Sequence, residues 1–362
     1  MRNYENVRTL LQHYVDNNEI AGADIIIREG GSLALLAGVG WQDTQKTIPV
    51  NEHTIFRLAS MTKPITAIAV MMLNEAGELD IHDSLGKYIP EYIGTDKEDI
   101  QIIHLLNHTC GLGMIMCPGM QQAMDLSDTE HDRLADRVAR WKDLVPDFPA
   151  GTATGYSNCV GFDIAGRIVE IVSGMELDSF LDEKIFHPLG ITDITFTLNE
   201  EQASRRSICF HGVMPEGAPS DSPADLDLYI DASKAGYFSG AAGLFGTASD
   251  YDRIVQMLAG GGTYNGVRIL KEETVHQMHT PVNNLSPQPG VLWGLGMQVF
   301  GEPEETGYYV HKGSYSWSGA YGTHFFIDPA ADRTFVLMLN NDNLGGSMSY
   351  VSRAVEKAIW EA

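Results

Sequence analysis

Ser60-Met61-Thr62-Lys63-Pro64-Ile65-Thr66-Ala67-Ile68-Ala69-Val70-Met71-Met72-Leu73 is the stretch whose reading decides the fold. It is an apolar run with a hydroxyl and an amine at its front, and Gly77 closes it. The run predicts a helix, too short and too soon interrupted to span a membrane. Pro64 is tolerated only in a first turn, where backbone N–H groups have no intrahelical acceptor. The helix must therefore begin near Ser60. A spacing of three residues then sets Ser60 and Lys63 on one face. Ser60 also lies at the positive end of the helix dipole, which favours an anion developing there.

A serine hydroxyl is a weak nucleophile until a base stands beside it. A lysine becomes such a base when burial disfavours its ammonium form. Read alone, the four residues from Ser60 to Lys63 are more often a helix N-cap followed by a solvated lysine. Other segments have to decide.

The chain has 362 residues, longer than one core usually grows, so two lobes are expected. Its 48 acidic and 24 basic side chains leave a formal charge of -24, which argues against nucleic acid or an anionic membrane as partner. Cys110, Cys117, Cys159 and Cys209 have neither C-x-x-C nor zinc-ligand spacing and read as free thiols of a reducing compartment. The first residues lack the apolar core of a secretory signal, and no lipidation motif is visible, so a cytoplasmic protein is expected. No cofactor or metal is expected either. No phosphate-binding glycine loop is placed between a strand and a helix. His104 and His108, four apart on an expected helix, lack the H-E-x-x-H pattern of a zinc site. No G-x-S-x-G elbow surrounds any serine.

Strands are expected at both ends of the chain. Ala23–Arg28 and Ser32–Ala37 flank the turn signal Glu29-Gly30-Gly31, and Thr323–Ile327 and Thr334–Leu339 flank Asp328–Asp332. Helices are expected at about 6–15 and 349–360. One sheet assembled from both termini follows, with a mainly helical or irregular middle. Pro215–Pro223 and 284–290 read as loops.

Two further segments carry chemistry. Tyr156-Ser157-Asn158 precedes the apolar-periodic helix signal from Val160 to Val169. A tyrosine beside a lysine can shuttle a proton, and Asn158 can donate to a substrate carbonyl or to Ser60 or Lys63. The plainer reading is a half-buried ring and an N-cap. Trp317-Ser318-Gly319-Ala320 leads into the strand Phe325-Phe326-Ile327. Glycines at 319 and 322 would let a ligand approach the backbone. A strand edge there and the N–H of Ser60 could form an oxyanion hole, one donor being worth roughly 2.7–4 kcal/mol. A glycine-rich bend beside a buried tryptophan is the alternative.

Taken together, these segments resemble the serine β-lactamase and penicillin-binding-protein superfamily. More narrowly they resemble the class C β-lactamase-related group that includes the class VIII carboxylesterases. Supporting matches run along the chain: Leu105–Leu112, Ile185–Ile191, Gly243–Asp250 and Trp293–Gly296. The resemblance implies an α+β fold, with a central antiparallel sheet flanked by helices beside a mostly helical domain. On that pattern residues 1–77 and 231–362 would form the sheet domain and 78–230 the helical one, with the site in the cleft between. It implies Ser60 as acylated nucleophile, Lys63 and Tyr156 as managers of its proton, Asn158 as acyl-group ligand and Ala320 as second oxyanion donor.

One departure bears on substrate. The β-lactamases and D-Ala-D-Ala peptidases of this superfamily begin the third motif with Lys or His, which recognises a substrate carboxylate. Here that position is Trp317, which offers apolar area and an N–H but no charge. Ser318 also replaces a glycine. His311 and Lys312 lie a few residues earlier and are not assigned the missing role. Uncharged acyl esters are therefore the expected small-molecule substrates, and Met114, Met116 and Met120 could line an adaptable pocket for them. The oligomeric state is not readable from the sequence.

Overall fold

The computed structural model describes residues 2–43, 45–126, 133–210, 236–341, 344, 346 and 349–362. Among them, seven strands form one antiparallel sheet. They are β1 (Gly22–Glu29), β2 (Ser32–Gly40), β3 (Val291–Trp293), β4 (Gln298–Phe300), β5 (Tyr315–Ser318), β6 (His324–Asp328) and β7 (Arg333–Leu339). Their order is β2-β1-β7-β6-β5-β4-β3. The N-terminal hairpin joins the sheet by pairing with the last strand, Ile25 opposite Leu337, so the sheet is built from both termini as expected. Gly30 and Gly31, with φ of 59° and 69°, make the tight turn of that hairpin, a conformation glycine adopts without steric cost.

Five helices frame the sheet and the site: α1 (Glu5–Asp16), α2 (Thr62–Ala76), α3 (Val160–Ser173), α4 (Ala248–Ala259) and α5 (Tyr350–Glu361). Side-chain alternation along the strands divides the core in two. Ile25, Ile27, Phe335, Leu337 and Leu339 pack with Val7 and Leu11 of α1 and Val351 and Val355 of α5. Ile26, Phe325, Val336 and Met338 join a larger core containing α2, α3 and α4. Helix α2 is buried on nearly every side, which explains why its sequence is apolar all round. Gly77 ends it in a left-handed C-cap, φ 75°, as its position in the sequence predicts.

The described residues of 78–210 contribute α3, several shorter helices, turns and isolated bridges, and no extended strand falls among them. The expected loop at Pro215–Pro223 and the expected boundary at residues 230 and 231 lie outside the described residues. His104 and His108 do not share a helix. That helix is Ile102–Leu106, and His108 has already turned to φ 56°. No described helix is long and apolar enough to cross a membrane.

Candidate active site

Ser60 sits in a single 3-10 turn, Ala59–Met61, that runs directly into α2. Pro64 falls in the first turn of α2, where no N–H is needed. Ala59 has φ 46°, a left-handed value that costs a residue with a Cβ about 1–3 kcal/mol. The surroundings hold it there. Leu58 N–H donates to Leu244 O at 3.0 Å, Thr323 Oγ1 to Leu58 O at 3.1 Å, and Tyr251 Oη to Met61 O at 2.9 Å. The serine is thus presented by a turn clamped from three separate segments.

Lys63 is wholly buried. Its Nζ donates to Asn158 O at 2.6 Å, Ala241 O at 3.0 Å and Ser60 Oγ at 3.2 Å, so each hydrogen of an ammonium has an acceptor. The Tyr156 ring lies 4.9 Å from Nζ. Tyr156 Oη is hydrogen-bonded to Ser60 Oγ at 2.6 Å. The structure therefore brings Ser60, Lys63 and Tyr156 together. Asn158 joins them differently from expectation. Its main-chain carbonyl engages Lys63, its half-buried side chain stands beside the site without a hydrogen bond among the described residues, and Cys159 takes the N-cap of α3.

The acceptors of Lys63 are themselves anchored. Asp163, on α3, accepts hydrogen bonds from Tyr237 Oη, from Ser239 Oγ at 2.7 Å and from Ala241 N at 3.0 Å. Burial pushes its carboxyl up, and the bonds pull it back down in part. Thr66 Oγ1 donates to Gly240 O at 2.7 Å, tying the same segment to α2. Cys159 is no competing nucleophile, because burial, and then the Asp163 charge, push its thiol up to about 11.

Tyr156 is positioned from the other side by His108. Nδ1 of His108 accepts from Ser157 N at 3.2 Å, which leaves the ring proton on Nε2. Burial, and then the charge of Lys63, hold this imidazole well below its usual range, so the ring is neutral. It stacks parallel to Trp317 at 5.4 Å and lies 4.7 Å from Trp293 and 4.9 Å from Tyr156. Trp317 is consequently only 4% exposed. Its indole is the packed wall of the site, not a free face in the cleft.

Gly319 has a packing use as well. A Cβ there would overlap Leu58 O and Thr323 Oγ1, so the missing side chain admits the turn before Ser60. Gly319 N–H donates to Thr323 O at 2.8 Å and Gly322 N–H to Gly319 O at 3.1 Å, closing a turn with exposed Ala320 at its tip and half-buried Ser318 at its base. No backbone acceptor among the described residues takes the N–H of Ser60 or of Ala320.

The three methionines part company. Met114 is buried and bridges Ser157, Met120 is half-buried, and Met116 is 95% exposed with φ 65°. Exposed Ile115 stands beside Met116, and its N–H donates to Tyr156 O at 2.8 Å. Ile115 and Met116 are thus an exposed apolar rim whose backbone is tied to the main chain of the tyrosine. His311 and Lys312 are occupied elsewhere, with Asp328 at 2.7 Å and Glu302 at 2.6 Å.

A serine–lysine–tyrosine cluster, its lysine buried and its serine and tyrosine half-buried, beside an antiparallel sheet flanked by helices defines a class of protein, and comparison with known proteins places the chain within it. The chain belongs to the beta-lactamase family, whose model matches residues 7–358. It is 27% identical to esterase EstB of Burkholderia gladioli over 368 residues, covering 94% of this chain and 91% of that protein. A putative D-alanyl-D-alanine carboxypeptidase of Escherichia coli K12 is 28% identical over 319 residues, covering 82% and 71%. Among solved structures, EstCE1, described as a hydrolase with promiscuous acyltransferase activity, superposes with a TM-score of 0.85 over 98% of both chains at 23% identity. The protein is a serine hydrolase of the β-lactamase and penicillin-binding-protein superfamily, with esterase relatives.

Asp163 and Ala241 escaped the sequence reading. An acid inside the apolar run Val160–Val169 was the available signal for the first. Ala241 had none, because it contributes only a carbonyl.

Proposed function

We propose that the protein is a carboxylesterase acting on short, uncharged acyl esters through an acyl-enzyme at Ser60. The convergence of Tyr156 Oη and Lys63 Nζ on Ser60 Oγ, at 2.6 and 3.2 Å, carries the reading. Lys63 Nζ lies within hydrogen-bond reach of Oγ. Tyr156 is the group within reach of the serine proton. For Oγ to attack the ester carbonyl the Tyr156–Lys63 pair must be one proton short of full protonation; the serine proton then passes to the vacant basic atom of that pair and from it to the departing alcohol oxygen. The N–H groups of Ser60 and Ala320 are the donors for the tetrahedral oxyanion. Water then repeats the sequence on the acyl-enzyme and releases the acid.

The choice of uncharged substrates rests on the third motif and the rim. Trp317 fills the place of a carboxylate-binding cation, and His311 and Lys312 are paired with acids. The net charge of -24 disfavours anions further. Ile115 and Met116 offer apolar contact beside Tyr156.

The test is turnover of p-nitrophenyl esters, nitrocefin and D-amino-acid amides by wild type and Ser60→Ala, with intact mass followed in parallel. Ester turnover that disappears in Ser60→Ala supports the reading. Preferential turnover of nitrocefin or amides replaces it with a β-lactamase or peptidase. A stable adduct without turnover replaces it with a penicillin-binding sensor.

A further inference from the structure

We propose that His324 and Glu356 form a one-proton clamp that positions the third-motif turn from behind the sheet. The inference rests on the acyl-transfer reading above. His324 lies on β6, opposite Ser318, and Glu356 lies on α5; each side chain is 1% exposed. His324 Nδ1 is 3.0 Å from Trp317 O, and Nε2 is 3.0 Å from Glu356 Oε1. The carbonyl can only accept, so Nδ1 carries a hydrogen.

Between Nε2 and Oε1 there is then room for one hydrogen, on either atom. Without it, two lone pairs face each other in a site closed to water. With a second, two donors do. A single protonation state of the pair holds the geometry, and in that state a helix on the far face of the sheet is tied to the carbonyl of Trp317.

That tie reaches the site in two short steps. His324 directly follows Thr323, whose carbonyl accepts from Gly319 N at 2.8 Å at the base of the turn carrying Ala320. The Thr323 hydroxyl binds Leu58 O just before the nucleophile. His324 therefore anchors both limbs of the turn that would place the second oxyanion donor. It touches no reacting atom and acts as a positioning residue.

The groups facing the pair are few. Arg353 Nη1 lies 3.5 Å from Glu356 Oε2 and is covered by the Tyr308 ring. Phe335 of β7 meets the His324 ring edge-on at 5.2 Å. Arg333 of β7, beside Tyr4, donates to Ile359 O on the same helix at 2.9 Å.

The test uses the full-length protein and p-nitrophenyl acetate. His324→Phe, which keeps a ring against Phe335, is expected to lose roughly ten- to hundredfold in kcat with KM little changed. His324→Asn, whose amide replaces the Nδ1 donor, is expected to recover part of that loss. Wild-type kcat in His324→Phe overturns the clamp. If His324→Phe fails to fold, Glu356→Gln decides. Its amide can donate to Nε2 and keep the tie, whereas Glu356→Leu removes it, so kcat is expected to stay near wild type in the first and to fall roughly tenfold or more with KM little changed in the second, and equal kcat in the two overturns the clamp. Labelling of wild-type Ser60 by a fluorophosphonate, read by intact mass, tests the underlying reading separately. No adduct defeats that reading and the clamp with it, whereas an adduct with an unaffected His324→Phe defeats the clamp alone.

Discussion

Tyr156 Oη meets Ser60 Oγ at 2.6 Å although the two residues are 96 positions apart in the chain. Tyr156→Phe keeps the ring that packs on His108 and removes only the hydroxyl. Its kcat on a p-nitrophenyl ester should fall by roughly 10²–10⁴ with little change in Tm. A variant as active as wild type would show that the tyrosine is only a wall.

Gly319→Ala brings a methyl against Leu58 O and Thr323 Oγ1, both backed by buried structure. The chain must shift either the third-motif turn or the turn before Ser60. A loss of about 1–3 kcal/mol in stability is expected, together with a drop in kcat. Denaturant unfolding and steady-state kinetics on the same sample measure both.

Asp163→Ala leaves the hydroxyls of Tyr237 and Ser239 and the N–H of Ala241 without their shared acceptor. A buried donor left unpaired costs about 1–3 kcal/mol. The segment bearing Ala241 O then loosens around Lys63, so kcat should fall as well as Tm. An unchanged kcat in a destabilised variant would confine Asp163 to the fold.

Asp24 lies in β1, wholly buried, and its carboxylate oxygens have no hydrogen-bond partner of usual geometry among the described residues. Burial pushes its carboxyl up to about 6. The ordinary value is about 3.9, so between these pH values the folded state binds more protons than the unfolded state. Stability therefore falls as pH rises from about 4 to about 6 and stays lower above, by up to about 3 kcal/mol. Asp24→Asn should be more stable than wild type at pH 7 and lose that advantage near pH 4. Urea unfolding at both pH values would reveal it.

Trp317→Lys restores the charge that carboxylate-recognising relatives carry at this position. The indole, however, is packed between His108, Trp293 and Tyr156. Burying an ammonium in that slot costs several kcal/mol. The variant should lose Tm and ester turnover without gaining activity on nitrocefin, as parallel kinetics on both substrates would show.

The residues around Ser60 were largely legible because their geometry is local. A proline confined to a first turn and a closing Gly77 locate α2, and a spacing of three places Lys63 beside Ser60. The hairpin at Gly30-Gly31 and the alternation of β7 were legible for the same reason: each depends on residues a few positions apart. His108 was misread by the same local logic. Its four-residue spacing from His104 suggests one helix face, but the chain leaves the helix at Leu106 and turns His108 into the aromatic wall, where Ser157 N–H finds its acceptor.

By itself, then, the sequence determined the start of the nucleophile helix, the two terminal hairpins and the serine–lysine–tyrosine set. Backbone sterics and short-range periodicity are enough for the first two; the third came from the resemblance of the assembled motifs to a known superfamily, because each segment read alone favoured a plainer role. Tertiary structure alone decided that Lys63 spends its hydrogens on Asn158 O and Ala241 O, that Trp317 faces inward, that Gly319 makes room for Leu58, and that His324 reaches Glu356. Those relations join segments tens to hundreds of residues apart, and they exist only once packing has closed the two faces of the sheet. Main-chain carbonyls, which every residue carries, leave no mark in a sequence until the fold aims them at a lysine.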